Sequence, residues 1–590
     1  MTRRKSPLWA FDLEAINWTE VVCACAVSSE GEEFAAYGPD CRDKLIALMR
    51  ERGGTWVAHY GGGYDIPLLL QTRNLPVSDI ILSGTNILKA TGEAFKLRDS
   101  FPLTLAPLAK LAQHVGEAKQ VENQTRIEDM SPDETIAYCL SDCRILLKAL
   151  LSINDFLRSI GASMAWTSGG AALACLKAIE PHSWEALRSN TIHVNDAMRT
   201  RNGFARGGRV ECFARGEVDT VYSYDIKSSY PTRYALRPVG IGIRNASRWD
   251  REGVYRVSWE WHSRDEIPPV LDQSTLGGFG RCEAWVCYDE LKALKEAGAR
   301  NLDLIEAYAP RVELPLGQEF APYLFAAKER GVPWAKVFVN ALHGKFCESP
   351  LKDVWTSDFP SEYWPEILPE RRGSPDYGFW KSYQVVHDNR HHCLPHVQPI
   401  AGAQILGRAR AALSLTMREL QTAGWSVYYC DTDCIHTNCP PSYFPGRQGA
   451  SLGEWALEKG PCRAIYLGPK AYCLFNEDGS AAKFALKGAP VGKLSNATKR
   501  GAIFTPLRIQ EKGENLIAAF YEQALMPKGA AIQKEGVTSF VSGLRNDSNW
   551  TKKALIRTSR PTGAGKVFVN GRYHYVSPEE IRSALRNPRR

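Results

Sequence analysis

The sequence lacks any uninterrupted apolar stretch of the roughly 20 residues that a bilayer-spanning helix needs, so a membrane-spanning segment is not expected. It has no internal repeat and no low-complexity tract, which argues against a solenoid or a linker protein. Sixteen cysteines lack both the paired C-x-x-C spacing of zinc sites and the density of a small secreted scaffold. Reduced thiols in a cytosol-like compartment are the expectation. The start, Met1-Thr2-Arg3-Arg4-Lys5, is basic, but Asp12 and Glu14 interrupt the apolar residues after it, so no signal-peptide core is expected. Charge of one sign is also scarce. A formal +8 over 590 residues suits a polyanion partner without requiring one. Basic residues gather late, from Lys552 and Lys553 through Arg557, Arg560 and Lys566 to Arg589 and Arg590, where a solvated tail and DNA contact are both open readings.

What is present is an ordinary globular composition, 44% hydrophobic and 23% charged, on a chain too long for one core. Two or more domains are therefore expected. To about Leu151 short apolar strands alternate with helices, which reads as an α/β domain. Its last helix opens with Ser131-Pro132-Asp133-Glu134, a capping box with proline at the first helical position, and continues with apolar Ile136, Leu140, Leu146, Leu147 and Leu150. From about Asn190 strands and loops take over. The run Val221 to Ile226 enters a turn at Ser228 to Pro231, and a strand from Trp425 to Cys430 meets Cys434 to Thr437 across a short turn. Helices are expected over roughly Pro322 to Leu342 and Ile400 to Leu420, with Cys347 to His396 a surface insertion between them.

Two sets of carboxylates carry the chemistry. Asp12 and Glu14, two apart on a predicted strand, share a face, and a divalent cation would relieve their repulsion. His59-Tyr60-Gly61-Gly62-Gly63-Tyr64-Asp65 delivers a third acid after a turn that lets backbone come close to a ligand. Tyr138 and Asp142, one helical turn apart, add a phenol and a fourth acid. This order fits two-metal phosphodiester hydrolysis, with Tyr138 placed to orient the attacking water. In the second set Asp225 ends a strand, and Asp431-Thr432-Asp433 occupies a hairpin tip between apolar strands, an unfavourable place for paired acids without a cation. Lys336 and Asn340 put a cation and an amide on one helix face, which suits a triphosphate.

Taken together and in this order, these segments resemble the motifs of family B DNA polymerases, and the short chain resembles the protein-primed branch of phages and linear plasmids. The resemblance rests on seven collinear segments: Asp12 to Glu14, Tyr64-Asp65, Tyr138 to Asp142, Asp225 to Pro231, Lys336 to Gly344, Tyr429 to Asp433, and Lys470-Ala471-Tyr472. It implies an RNase H-like 3′-5′ exonuclease domain over 1–165, of α/β class. A right-hand polymerase domain of α+β class would follow over 190–590. Within that domain the palm would take about 190–320 and 421–500, and the fingers 321–346 and 397–420. An insertion at 347–396 and a thumb from about 501 would complete it. It further implies Mg2+ or Mn2+, two per active site, held by Asp225 and Asp433 in one site and by Asp12, Glu14, Asp65 and Asp142 in the other, with Asp431 close to the first. Lys336 and Asn340 would bind the incoming deoxynucleoside triphosphate. Tyr230 would stack under its sugar and exclude a ribose 2′-hydroxyl. Lys470, Tyr472 and Lys487 would grip the DNA primer-template. The implied partners are that DNA, the triphosphates and, where priming uses a protein hydroxyl, a terminal protein. The implied setting is a monomer in the bacterial host cytoplasm, replicating a phage or mobile element.

The chain departs from the family pattern in four places. Tyr60 stands where asparagine is usual, Ala341 and His343 replace serine and tyrosine, and the linker motif Tyr-x-Gly-Gly reads Ala205-Arg206-Gly207-Gly208. Thr562 to Val567 resembles a phosphate loop but lacks its first glycine and its magnesium-ligating hydroxyl, and is set aside. His387, His391, His392, Cys393 and His396 cluster in the insertion, where adjacent positions converge poorly on one ion, so a polar loop is expected.

Overall fold

The computed structural model describes residues 7–16, 20–70, 77–83, 86–118, 127–204, 206–214, 216–247, 249, 252–274, 276–348, 351–355, 383–386, 393–478, 481–486, 566–569, 572–575 and 577–579. The chain divides into two compact units, each assembled from two stretches of sequence: Met1–Arg199 with Leu316–Gln398, and Thr200–Pro315 with Pro399–Arg590. Lys487 and the basic stretch from Lys552 to Arg560 lie outside the described residues.

In the first unit the strand Leu8–Ile16 runs parallel to Gly54–Ala58, which in turn runs parallel to Phe95–Asp99. Around these three, Glu20–Ser28 and Glu33–Tyr37 extend one side of the sheet, while Asn86–Gly92 and Val77–Ser83 extend the other. Register places Trp9 opposite Trp56, and their rings stack with centroids 4.5 Å apart at the centre of the apolar core. Against the strands Leu8–Ile16 and Glu20–Ser28 packs the long helix Pro132–Ser159. Its capping box forms as the sequence predicts: the Ser131 hydroxyl accepts from the Glu134 N–H, and the Glu134 carboxylate accepts from the Ser131 N–H.

The single helix expected over 322–342 is two helices, Phe320–Glu329 and Ala335–Phe346. Gly331, with φ of +86°, and Pro333 break it, because the first adopts a conformation closed to most residues and the second has no N–H to donate. The surface insertion expected over 347–396 is described only in part. Leu351–Trp355 and Tyr383–Val386 pair as a hairpin whose first strand joins Val77–Ser83, making a nine-stranded sheet. Of the histidine and cysteine cluster, His387, His391 and His392 lie outside the described residues. Cys393 is buried with its N–H on the Ile192 carbonyl, and His396 sits 2.5 Å from the Glu348 carboxylate.

The second unit holds a four-stranded antiparallel sheet and a seven-stranded one. The latter centres on Gly216–Ile226, flanked by Cys434–Thr437 on one side and by Trp455–Gly468 on the other. Leu413, Met417 and Leu420 of the helix Pro399–Thr422 pack on Tyr224, Ile226, Cys430 and Ile435 of that sheet, which fixes the layer from which the second acid set projects. The turn expected at Ser228 to Pro231 is instead the start of a short helix, Ser229–Ala235, entered through Ser228 in the left-handed region. Among the described residues no helix is long and apolar enough to cross a membrane.

Candidate active sites

The first set of acids converges. Asp12 and Glu14 lie on the strand Leu8–Ile16, and the N–H of Leu13 between them donates to the Asp65 carboxylate at 2.9 Å. Asp65 opens the short helix Asp65–Leu70 directly after the glycine turn and is 1% exposed. Burial, then the charge of Asp12, holds its carboxyl well above the ordinary range. Glu14 is pushed up to about 9 by burial and by the charges of Asp12, Asp65 and Asp142 in that order, so all four acids act on one small volume. Asp142 faces this volume from the long helix, and Tyr138, one turn earlier on that helix, is half-buried.

The glycine turn is fixed by a residue the sequence reading missed. Asp99, at the end of its strand, is 3% exposed. Burial raises its pKa, while the N–H groups of Phe101, Gly62, Tyr60 and Gly61 oppose that rise. A side chain at Gly62 would meet the Ile87 carbonyl and the Asp99 carboxylate, which is why this position is glycine. In sequence, Asp99-Ser100-Phe101-Pro102 reads as an ordinary turn and gives no sign of this work. Tyr60 is 48% exposed, has φ of +59°, and stacks on Phe101 with centroids 3.9 Å apart.

The second set converges as well. Cys434 pairs with Asp225 across the sheet, and the Ile226 N–H donates to the Asp433 carbonyl at 2.8 Å, so Asp433 in the hairpin turn sits beside Asp225 near the end of its strand. Burial, then Asp433, raises the Asp225 carboxyl to about 7, and burial, then Asp431, raises Asp433 to about 6. Lys470 bridges both Asp431 oxygens at 2.8 and 2.7 Å, and the Tyr429 hydroxyl donates to the same carboxylate at 3.1 Å. Thr432 at the hairpin tip has φ of +63°. Any side chain at Gly208 would strike it, and the Thr432 N–H donates to the Arg209 carbonyl at 2.7 Å. Arg410, paired with Glu290, also donates to the Arg206 and Gly207 carbonyls and holds the glycines of the linker motif against the hairpin, while Ala205, where that motif departs from the usual pattern, lies outside the described residues.

Tyr230 lies in the first turn of its helix, half-buried, with its pKa raised by burial and by Asp433. Gly453, in the segment Leu452 to Trp455, donates to the Lys227 carbonyl at 2.8 Å and packs against Thr232. Tyr472 is 6% exposed and sits in an aromatic cluster with Tyr429, His436 and Tyr466, so its ring is spent on packing. Lys336 and Asn340 belong to the first unit. Lys336 is exposed on the helix Ala335–Phe346, and the Asn340 amide donates to the Lys336 carbonyl at 2.8 Å.

Both acid sets fit hard divalent cations: crowded carboxylates, buried at Asp65 and Asp142 and half-buried elsewhere, whose ionised forms repel one another are oxygen donors of the kind Mg2+ and Mn2+ take.

Residues 116–362 match the family described as DNA polymerase type B, organellar and viral. That segment carries the signature of the family. Among solved structures, the fold of the chain is similar to that of Phi29 DNA polymerase complexed with single-stranded DNA, with a TM-score of 0.63 and 19% identity, covering 81% of this chain and 90% of that one. It is similar also to the Phi29 ternary complex with primer-template DNA and incoming nucleotides, with a TM-score of 0.62 and 18% identity over 82% of this chain and 90% of that one. At such identities the likeness is one of fold. Comparison with curated proteins finds no match.

Proposed function

We propose that the chain extends a primer 3′-hydroxyl with deoxynucleotides on a DNA template at the Asp225, Asp431 and Asp433 set. On this reading it removes mispaired 3′ ends at the Asp12, Glu14, Asp65 and Asp142 set. The observation that supports this most is the meeting of acids from distant parts of the chain into two groups, one in each compact unit. Divalent ions held there would neutralise charge on the attacking and departing oxygens of phosphoryl transfer. Asp225 and Asp433 supply the ligands, and Lys470 fixes the orientation of Asp431 beside them. Tyr230 lines the same hairpin, where a ring beneath the sugar would reject a 2′-hydroxyl. In the resemblance-based roles Lys336 binds the triphosphate, Lys470 the primer strand, and Tyr138 orients the hydrolytic water. The exonuclease and polymerase domain limits, a monomeric state, a bacterial cytoplasmic setting and a phage or mobile-element origin belong to the same proposal.

Asp431→Asn is expected to abolish primer extension and leave 3′-end degradation, whereas Asp12→Ala does the reverse. Gel assays on labelled primer-template with Mg2+ read both activities. Loss of both from one substitution in folded protein ends the two-site reading. Supplying template and nucleotides with and without an oligonucleotide, then asking what the first nucleotide is joined to, separates oligonucleotide from terminal-protein priming.

A further inference from the structure

Behind the first acid set lies a layer of thiols. Cys23 and Cys25, two apart on the strand Glu20–Ser28, point to the same face, and their sulfurs are 3.8 Å apart. Cys139 on the long helix completes a trio whose Sγ atoms all lie within 4.8 Å of one another, and each of the three is 0% exposed. Cys143, one turn further on, donates to the Cys25 carbonyl at 3.5 Å. Cross-strand register puts Glu14 opposite Cys23 and Asp12 opposite Cys25. Cys139 also donates to the Asp12 carbonyl at 3.4 Å, and its sulfur lies within 4.8 Å of the ligating oxygens of both Asp12 and Glu14.

Buried cysteines often act as small apolar side chains, and that use predicts sulfurs scattered through the core. Here three converge instead. Tetrahedral zinc with Zn–S bonds of about 2.3 Å has an S···S edge of about 3.8 Å, the separation of Cys23 and Cys25. Among the described residues, this trio and the Asp12, Glu14 and Cys139 group are the two places where three such ligands come so close.

We propose that Cys23, Cys25 and Cys139 form a binding site for a thiophilic divalent cation of the zinc and cadmium class, with the Glu14 carboxylate as fourth donor. Binding displaces the three thiol protons to solvent. It also takes Glu14 away from the hard-cation set, so a soft cation suppresses removal of 3′ ends. The binding site stands apart from the exonuclease reading, whereas this last consequence rests on it.

The test titrates the full chain with Cd2+ and follows the ultraviolet thiolate-to-cadmium charge-transfer band. One equivalent is expected to bind, with three sulfurs around the metal by X-ray absorption. The Cys23→Ser/Cys25→Ser variant is expected to lose tenfold or more in Cd2+ affinity, in the range usual for removal of groups at a metal site. A control, Cys175→Ser, removes a buried thiol outside the cluster and should leave binding unchanged. Fewer than three sulfurs in the unaltered chain, or a band that survives the double substitution, overturns the proposal. The sulfur count holds even if the variant folds poorly. In the degradation assay with Mg2+, added Cd2+ is expected to slow the parent and spare the double variant. Bound Cd2+ without that difference removes Glu14 from the site, while a parent that never degrades 3′ ends refutes the exonuclease reading and leaves the thiol site standing.

Discussion

At the scale of the residue, the titration of Asp225 and Asp433 ties the second acid set to stability. Both carboxyls ionise near 3.8 when unperturbed, and the fold raises them to about 7 and about 6, first by burial and then by charged neighbours. Between those limits the folded chain holds protons that the unfolded chain has released, so stability falls as pH rises from about 4 to about 7. Above that the repulsion is present in full. Without divalent ions the melting temperature is expected to decline over this range, and Mg2+ should raise it more at about pH 8 than at about pH 5. Asp225→Asn/Asp433→Asn should flatten the decline and reduce the response to Mg2+. Thermal melts with chelator or Mg2+ check this, and an unaltered slope in the double variant contradicts it. Identities at this scale were largely legible: carboxylates spaced two apart, or flanking a hairpin turn, announce themselves. Asp99 was not, since an aspartate before a turn is common and its four N–H partners come from two separate loops.

At the scale of the element, helix ends show what local sequence can and cannot reveal. The capping box at Ser131 was readable because all its partners lie within four residues. The start of Phe320–Glu329 was not. Its N–H groups are satisfied by Glu180, some 140 residues earlier and 0% exposed, which accepts from Gly317 at 2.8 Å, Glu319 at 2.6 Å and Phe320 at 2.8 Å. Removing that carboxylate strands three N–H groups and the favourable charge at a helix N-terminus. Glu180→Ala is expected to destabilise the first unit by about 2–4 kcal/mol, with Glu180→Gln recovering part of it. Urea unfolding followed by tryptophan fluorescence measures this, and a loss under about 1 kcal/mol would show that water replaces the carboxylate. Element type survived the move from pattern to structure better than continuity did. The split at Gly331 and Pro333 was written in those residues, yet the apolar spacing runs across them and hides the break.

At the scale of the whole molecule, each compact unit is built from two stretches of chain, so no single cut releases either one intact. A fragment of residues 1–199 loses Leu316–Gln398, and with it the packing of Ala335–Phe346 on Ser168–Ile179 and the donors to Glu180. That fragment is expected to melt well below a chain in which 1–199 is joined directly to 316–398. Circular dichroism melts of the two compare them, and equal melting temperatures would mean the second stretch adds nothing to the fold of the first. The hairpin of Leu351–Trp355 and Tyr383–Val386 belongs to the same lesson, because a strand's choice of partner sheet depends on an exposed edge elsewhere in the chain.

By itself the sequence determined the two carboxylate sets, their order, the capped helix that carries Asp142 and the hairpin that carries Asp431 and Asp433. These depend on spacing over a few residues, where strand and helix periods dictate which side chains share a face. Only the tertiary structure decided that Asp99 clamps the glycine turn, that Arg410 holds Gly207, that Glu180 caps a helix far along the chain, and that thiols in C-x-C and C-x-x-x-C spacing meet behind Asp12. Each of those is a pairing between residues remote in sequence, and burial, which makes such pairs strong, is a property of the packed chain and not of any local stretch.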